Sequence, residues 1–253
     1  MRLRLTLVTV LTAATVGGSV LAQSPVVRGI NGSWEAYPLR GEGFGSGIQP
    51  KTPVKPPPPI AEPPLKQAFL DEWRAVQARN AELTKKGLPP PSTGMACIPE
   101  GMPGMMQSTF PMEILETPGQ VTIIQEAFTQ VRRIHLGAKP VAPEDAEPRF
   151  AGHSTGRWEG STLVVETVGV KESTHFHNTP HSMNMRITER LRLVNDEILE
   201  NVVTIVDPEF LARPWTWTWM YKRWPGYKIE EYVCEDNRYF EDPAQRYQRL
   251  KVN

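Results

Sequence analysis

The sequence predicts a mostly β fold. The expected architecture is an antiparallel meander curled into a lipocalin-like barrel with one docked N-terminal helix; a two-sheet β-sandwich is the alternative. Three observations carry this. From about residue 108 the apolar residues recur with period two, in runs such as MRITERLRLV and WTWTWMYKR. Turn signals separate several of the runs, at Glu159-Gly160-Ser161, Asn195-Asp196 and Pro225-Gly226. No helical pattern intervenes, so strands adjacent in sequence are expected to be adjacent in the sheet.

The chain opens MRLRLTLVTVLTAATVGGSVLAQS. Arg2 and Arg4 precede a short apolar run from Leu5 to about Val16, and Val20 and Ala22 are small neighbours of a cut before Gln23. This is the pattern of a signal peptide over 1–22, too short and too interrupted by Thr and Gly for a membrane span. The expected location is periplasmic or secreted.

Residues 23–64 read as a Gly/Pro-rich arm. Its second half places eight prolines between Pro50 and Pro64, which favours extended polyproline II over a packed core. Residues 65–253 are expected to form a single β-rich domain that opens with a helix over 65–87. Leu65, Phe69, Trp73, Val76 and Leu83 fall on one stripe, and Gly87 and the LPPPS run stop it. Phe69 and Trp73 are the expected docking residues. Strands are expected near 121–128, 131–136, 150–158, 162–170, 185–194, 197–206, 215–223 and 227–234.

Charge and cysteine content narrow the partners. The chain has 28 basic and 28 acidic side chains; losing Arg2 and Arg4 with the signal peptide leaves 26 against 28. No basic stripe stands out, which argues against nucleic acid. Two cysteines, Cys97 and Cys234, read as a disulfide in an oxidising compartment. No cofactor is implied, and the oligomeric state is left open.

Several polar residues break the apolar pattern. In MRITERLRL, Glu189 shares a face with Met185, Ile187, Leu191 and Leu193. In YKIEEYV, Glu231 shares one with Tyr227, Ile229 and Val233, and in VRRIHL Arg132 shares one with Ile134 and Leu136. A barrel lumen holding Arg132, Glu189 and Glu231 is expected, either as a reactive centre or as a salt-bridge network that sets register. In AGHSTGRWEGSTLVVET, a two-residue turn at Gly160-Ser161 sets Trp158 opposite Leu163 and Arg157 opposite Val164. That gathers His153, Arg157 and Glu166 on one sheet face, as a proton-transfer group or as a solvated charge cluster. Trp215, Trp217, Trp219 and Tyr221 form an aromatic row, as core or as the lining of a small-molecule site, with Trp217 and Tyr221 as candidate ligand contacts.

HFHNTPHS places His175, His177 and His181 within seven residues. His-x-His spacing suits zinc or copper, and nearby methionines would suit copper, but Asn178, Thr179 and Pro180 mark a loop and no fourth ligand is evident. A metal is therefore not the favoured reading. Cys97-Ile-Pro-Glu-Gly-Met-Pro103, Gly152 to Thr167, Glu189-Arg190, Asp207-Pro208, Pro214-Trp215 and Glu231 to Cys234 resemble a family of exported bacterial proteins. The resemblance spans about residues 60 to 237. It implies that Cys97, His153, Arg157, Trp158, Glu166, Glu189, Glu231 and His181-Ser182 belong to a shared pattern, and it implies no particular reaction. Ser161 and Gly137-Ala138-Lys139 depart from that pattern, where Asp and Asp-Gly-Arg are usual.

The functional expectation is an exported barrel that acts on a small organic molecule by acid–base chemistry, as a lyase, isomerase or hydrolase. Glu189 and Glu231 are the candidate acid and base, His153, Glu166 and His181 the other candidate proton carriers, and Arg132 and Arg157 the candidate anchors for an oxyanion or carboxylate. The alternatives are a non-catalytic barrel that binds a small ligand, and a copper- or zinc-binding protein that uses the histidine cluster.

Overall fold

In the computed structural model, which describes residues 29–39, 45–91, 97–107 and 109–234, nine strands close into one barrel. The expected signal peptide lies outside the described residues. In chain order the elements are β1 (Gly32–Tyr37), α1 (Gln67–Lys85), β2 (Met112–Thr117), β3 (Gln120–Gln125), β4 (Gln130–Leu136), β5 (His153–Glu159), β6 (Thr162–Val168), β7 (Arg186–Asn195), β8 (Ile198–Val206) and β9 (Trp215–Arg223). Each strand pairs with its sequence neighbours, and β9 returns to pair with β1. Among the described residues no helix is long and apolar enough to cross a membrane.

Nine is odd, so a closed ring of strands cannot be antiparallel throughout. One parallel pair is obligatory, and it falls at β4–β5, where the 137–152 connection carries the chain back to its starting end. The parallel ladder is short: it pairs only Ile134 to Leu136 with Ser154 to Gly156. Gly156 allows this approach, since a Cβ there would lie 2.7 Å from Ile134 Cγ2.

Alternation sends one face of every strand inward. Trp34, Ile114, Ile123, Ile134, Leu163, Val165, Ile187, Leu191, Leu199, Val203 and Trp219 fill the lumen at almost no exposure. The aromatic row belongs to this core: Trp217 stacks on Phe176 at 5.1 Å, and the Tyr221 hydroxyl donates to the Met106 carbonyl at 2.7 Å. Met102, Met105 and Met106, in and beside a short 3-10 turn, are buried in the same cluster. These methionines pack as hydrophobes.

Three expectations need correction. The first concerns Gly32–Tyr37, which lies within the segment read as an arm yet forms β1 and closes the barrel. Six residues in a Gly-rich context give too little alternation to be seen. What holds them is tertiary: Glu35 lies opposite Lys222 of β9, and their buried side chains pair at 2.5 Å, while Ser46 donates its N–H and hydroxyl to the same carboxylate at 2.6 Å. The second correction is β2, a strand the sequence reading passed over. The third is the expected strand at 227–234, which is irregular because β1 already occupies the edge of β9. The helix docks along its apolar stripe without burying any residue fully. Phe69 meets Phe210 at 4.6 Å, and Trp73 Nε1 donates to the His177 carbonyl at 2.9 Å.

Cys97 and Cys234 are bridged, with their Cα atoms 5.7 Å apart and 137 positions between them in sequence. On the chain-entropy account a loop of this length contributes about 5 kcal/mol. Replacing both cysteines by serine should therefore lower stability by about 2–5 kcal/mol, a fall of about 2–4 °C in Tm per kcal/mol. Thermal melts of parent and double variant measure this; coincident melts would show that the bridge contributes nothing.

Candidate functional site

The inward-facing charges come first. Arg132 and Glu189 both point into the lumen and form an ion pair there at 1% and 0% exposure. Arg132 Nη2 donates to Glu189 Oε2 and, at 2.9 Å, to Thr167 Oγ1; its Nε donates to Ser154 Oγ at 3.1 Å. Asn201 Nδ2 donates to the other carboxylate oxygen at 2.9 Å. The network thus spans β4, β5, β6, β7 and β8. Glu189 lines none of the clefts described below. Of the two lumen roles expected for it, the network that sets register fits this filled interior.

Glu231 does not join it. The residue lies in the irregular C-terminal segment and is exposed, so the alternation that placed it inside does not apply. The hairpin register at β5–β6 is as expected, with Arg157 opposite Val164 and Trp158 opposite Leu163. The face that carries Arg157 and Glu166 is the outer one. Their side chains pair at 3.1 Å while 55% and 46% exposed, and Glu159 and Arg190 extend the cluster. His153 is not part of it: its Nε2 meets the Glu147 carbonyl at 2.8 Å. Such exposed pairs contribute little stability.

The three clustered histidines diverge. His181 is buried, with Nε2 3.0 Å from Thr174 Oγ1, and burial pushes its pKa down. With Met102, Met185 and Asp207 it lines a cavity of only about 20 Å³. His177 Nε2 meets Gln107 Oε1 at 2.9 Å, and His175 is exposed. Among the described residues no group of three His, Cys, Asp or Glu side chains is placed to hold a metal ion.

What does gather at one place is a cleft of about 1000 Å³ at the barrel rim. One wall is the second half of α1, at Gln77 and Asn80; another is the segment after Cys97, with Ile98, Glu100 and Gln107. Phe110 and Phe128 form a third side, and the 175–178 loop the fourth. Tyr232, two residues before Cys234, packs on both Phe110 and Phe128 at 5.2 and 5.1 Å, so the disulfide pins this corner. Gly101 lets the chain turn in beside Phe150: its φ is +65°, and a Cβ would lie 2.6 Å from the Phe150 carbonyl oxygen.

Glu100 is the carboxyl of this cleft, and burial alone pushes it up to about 7. Its Oε2 sits near Gly104, whose backbone leaves room for it beside Phe176. In CIPEGMP no period or spacing marks this glutamate as a functional residue. The clue available was a carboxylate flanked by Pro and Gly beside a disulfide, where no strand or helix face predicts exposure.

Backbone strain concentrates around the same cleft. Among the described residues, the non-glycine residues at positive φ are Cys97, Phe128, Thr129, His177 and Asn178, with φ from 47° to 59°. Phe128, His177 and Asn178 line the cleft; Cys97 and Thr129 adjoin lining residues. Each such conformation costs about 1–3 kcal/mol and persists only where the surroundings enforce it. Here the enforcement is visible: Trp73 Nε1 and Gln77 Nε2 of α1 donate to the His177 carbonyl at 2.9 and 3.3 Å.

Fold and cleft together define a closed β-barrel with a filled lumen and a carboxyl of raised pKa in a cleft at its rim. No protein-family model matches the chain, and no curated protein is similar to it in sequence.

Two outcomes test this assignment of roles. Glu189→Gln leaves Arg132 buried without its counter-charge, so it should cost about 3–5 kcal/mol; a melting temperature within a degree or two of the parent would show that the pair is dispensable. For Glu100, the carboxyl titrates at about 7 folded against 4.5 in its ordinary state. The stability it contributes is fully present below pH 4.5 and is lost as pH rises through about 7. Glu100→Gln should therefore gain on the parent as pH rises through that window, by on the order of 2–3 kcal/mol. Melts of both proteins across the window decide it, and a difference independent of pH would refute the raised carboxyl.

Proposed function

We propose that this protein is an exported enzyme that performs proton transfer on a small, uncharged organic molecule held in the rim cleft. The observation that carries the reading is Glu100, a carboxyl raised to about 7 by burial inside the largest described cleft. A general acid or base works best when its pKa lies near the working pH. The carboxylate takes a proton from a substrate C–H or O–H and returns it as the acid, and His175 on the facing wall is a second carrier. Phe110, Phe128 and Phe176 offer an apolar surface, and among the described residues no Lys or Arg lines the cleft, which favours a substrate without negative charge. The reaction class is that of a lyase, isomerase or hydrolase. Export is supported by the N-terminal sequence and by the disulfide, which suits an oxidising periplasmic or extracellular setting.

The test is a turnover screen of uncharged esters, lactones and enolisable ketones with the parent and Glu100→Gln. The parent should turn over at least one class with an apparent pKa near 7, and the variant should be slower by about 10²–10⁴-fold. Equal turnover by the two proteins would remove Glu100 from the chemistry.

A further inference from the structure

A second hollow, of about 530 Å³, lies on the outer wall of the barrel, at the parallel seam. It has a structural origin. β4 spans Gln130–Leu136, but only Ile134 to Leu136 pair with β5, so the two strands part over residues 130 to 133. On the lumen side Arg132 crosses the gap to Ser154. On the outside, the next residue, Arg133, faces the hollow with His135, and the 137–152 connection overhangs them with Lys139 and Arg149; His153 of β5 lines the far side.

The charge balance of this hollow is one-sided. Arg133, Lys139 and Arg149 are cationic, two imidazoles accompany them, and among the described residues no Asp or Glu lines it. The acid nearest in contact is Glu147, whose carboxylate pairs with Arg149 at 2.9 Å and whose carbonyl accepts from His153. Arg133 and Lys139 form no ion pair among the described residues. A concave wall bearing one sign of charge focuses potential and attracts the opposite sign. Pro99, Phe128, Val131, Val141, Phe150 and Ala151 add an apolar surface, and Thr129, Gln130, Ser154 and Thr155 line it as uncharged polar groups. The volume falls within the range of small-molecule sites.

We infer that this groove binds a small organic anion, with a carboxylate or phosphate monoester on Arg133 and Lys139 and an apolar body against Phe150. It adjoins the rim cleft, with which it shares Phe128, but lies on the other side of the 98–100 segment: Ile98 and Glu100 line the cleft, Pro99 the groove. The inference does not depend on the chemistry proposed for Glu100.

Calorimetric titration of the full chain with 1-naphthyl phosphate, 1-naphthoate and uncharged 1-naphthol tests it. Both anions should bind at one site per chain, weaken as salt is raised, and weaken about tenfold or more in Arg133→Ser and in Lys139→Ser. These side chains are exposed, so neither variant threatens folding. Arg192→Ser, which removes an outer-wall arginine paired with Glu200, should leave binding unchanged. Naphthol binding as tightly as the anions, no saturable binding of either anion, or equal losses in Arg192→Ser would each overturn the inference.

Discussion

The ion pair of Arg132 and Glu189 is the constraint on which the barrel wall depends. The parallel seam between β4 and β5 is short and opens over half the length of β4, so backbone pairing alone holds it weakly. Arg132 compensates through its side chain. It reaches across to Ser154 of β5 and Thr167 of β6, and ends on Glu189 of β7, which Asn201 of β8 also holds. Five consecutive strands are thereby tied to one guanidinium and one carboxylate. A slip of one residue in β4 or β7 would turn one of these charges toward solvent and leave the other buried alone, a change costly enough to exclude that register.

A second buried pair closes the ring. Glu35 and Lys222 join β1 to β9 far apart in sequence, and Ser46 covers them. Tyr37 donates to the Val54 carbonyl, and Trp215 Nε1 to that of Ala61, so the proline-rich segment runs along the barrel as a strap. Closure has a further consequence. With β1 in place the ring of strands is closed, and the chain after β9 folds over the rim, where Tyr227 donates to Glu126 and Cys234 is tied to Cys97.

The rim cleft follows from that arrangement. Helix, disulfide, C-terminal segment and histidine loop converge there, and each holds some backbone in a conformation it would not adopt alone. The lumen has no such freedom, since tryptophans and methionines fill it. With the lumen filled, open space is found where irregular segments meet, and Glu100 is half-buried at that junction.

By itself the sequence determined what period and pairing of residue types can encode. Alternation located β3 through β9 within a few residues and the inward direction of Arg132 and Glu189; an apolar stripe located α1 and its contacts at Phe69 and Trp73; two cysteines implied the bridge. Each of these is local, or needs only a count. Tertiary structure alone decided the rest. That β1 belongs to the barrel depends on Lys222, nearly two hundred positions away in sequence. That Glu231 is exposed depends on β1 having taken the edge of β9. That His175, His177 and His181 diverge depends on the turn at positive φ through His177 and Asn178. And Glu100 owes its raised carboxyl to burial in a cleft lined by segments far apart in sequence, from Gln77 to Asn178, because desolvation is a property of the assembled surroundings and leaves no mark in the neighbouring residues.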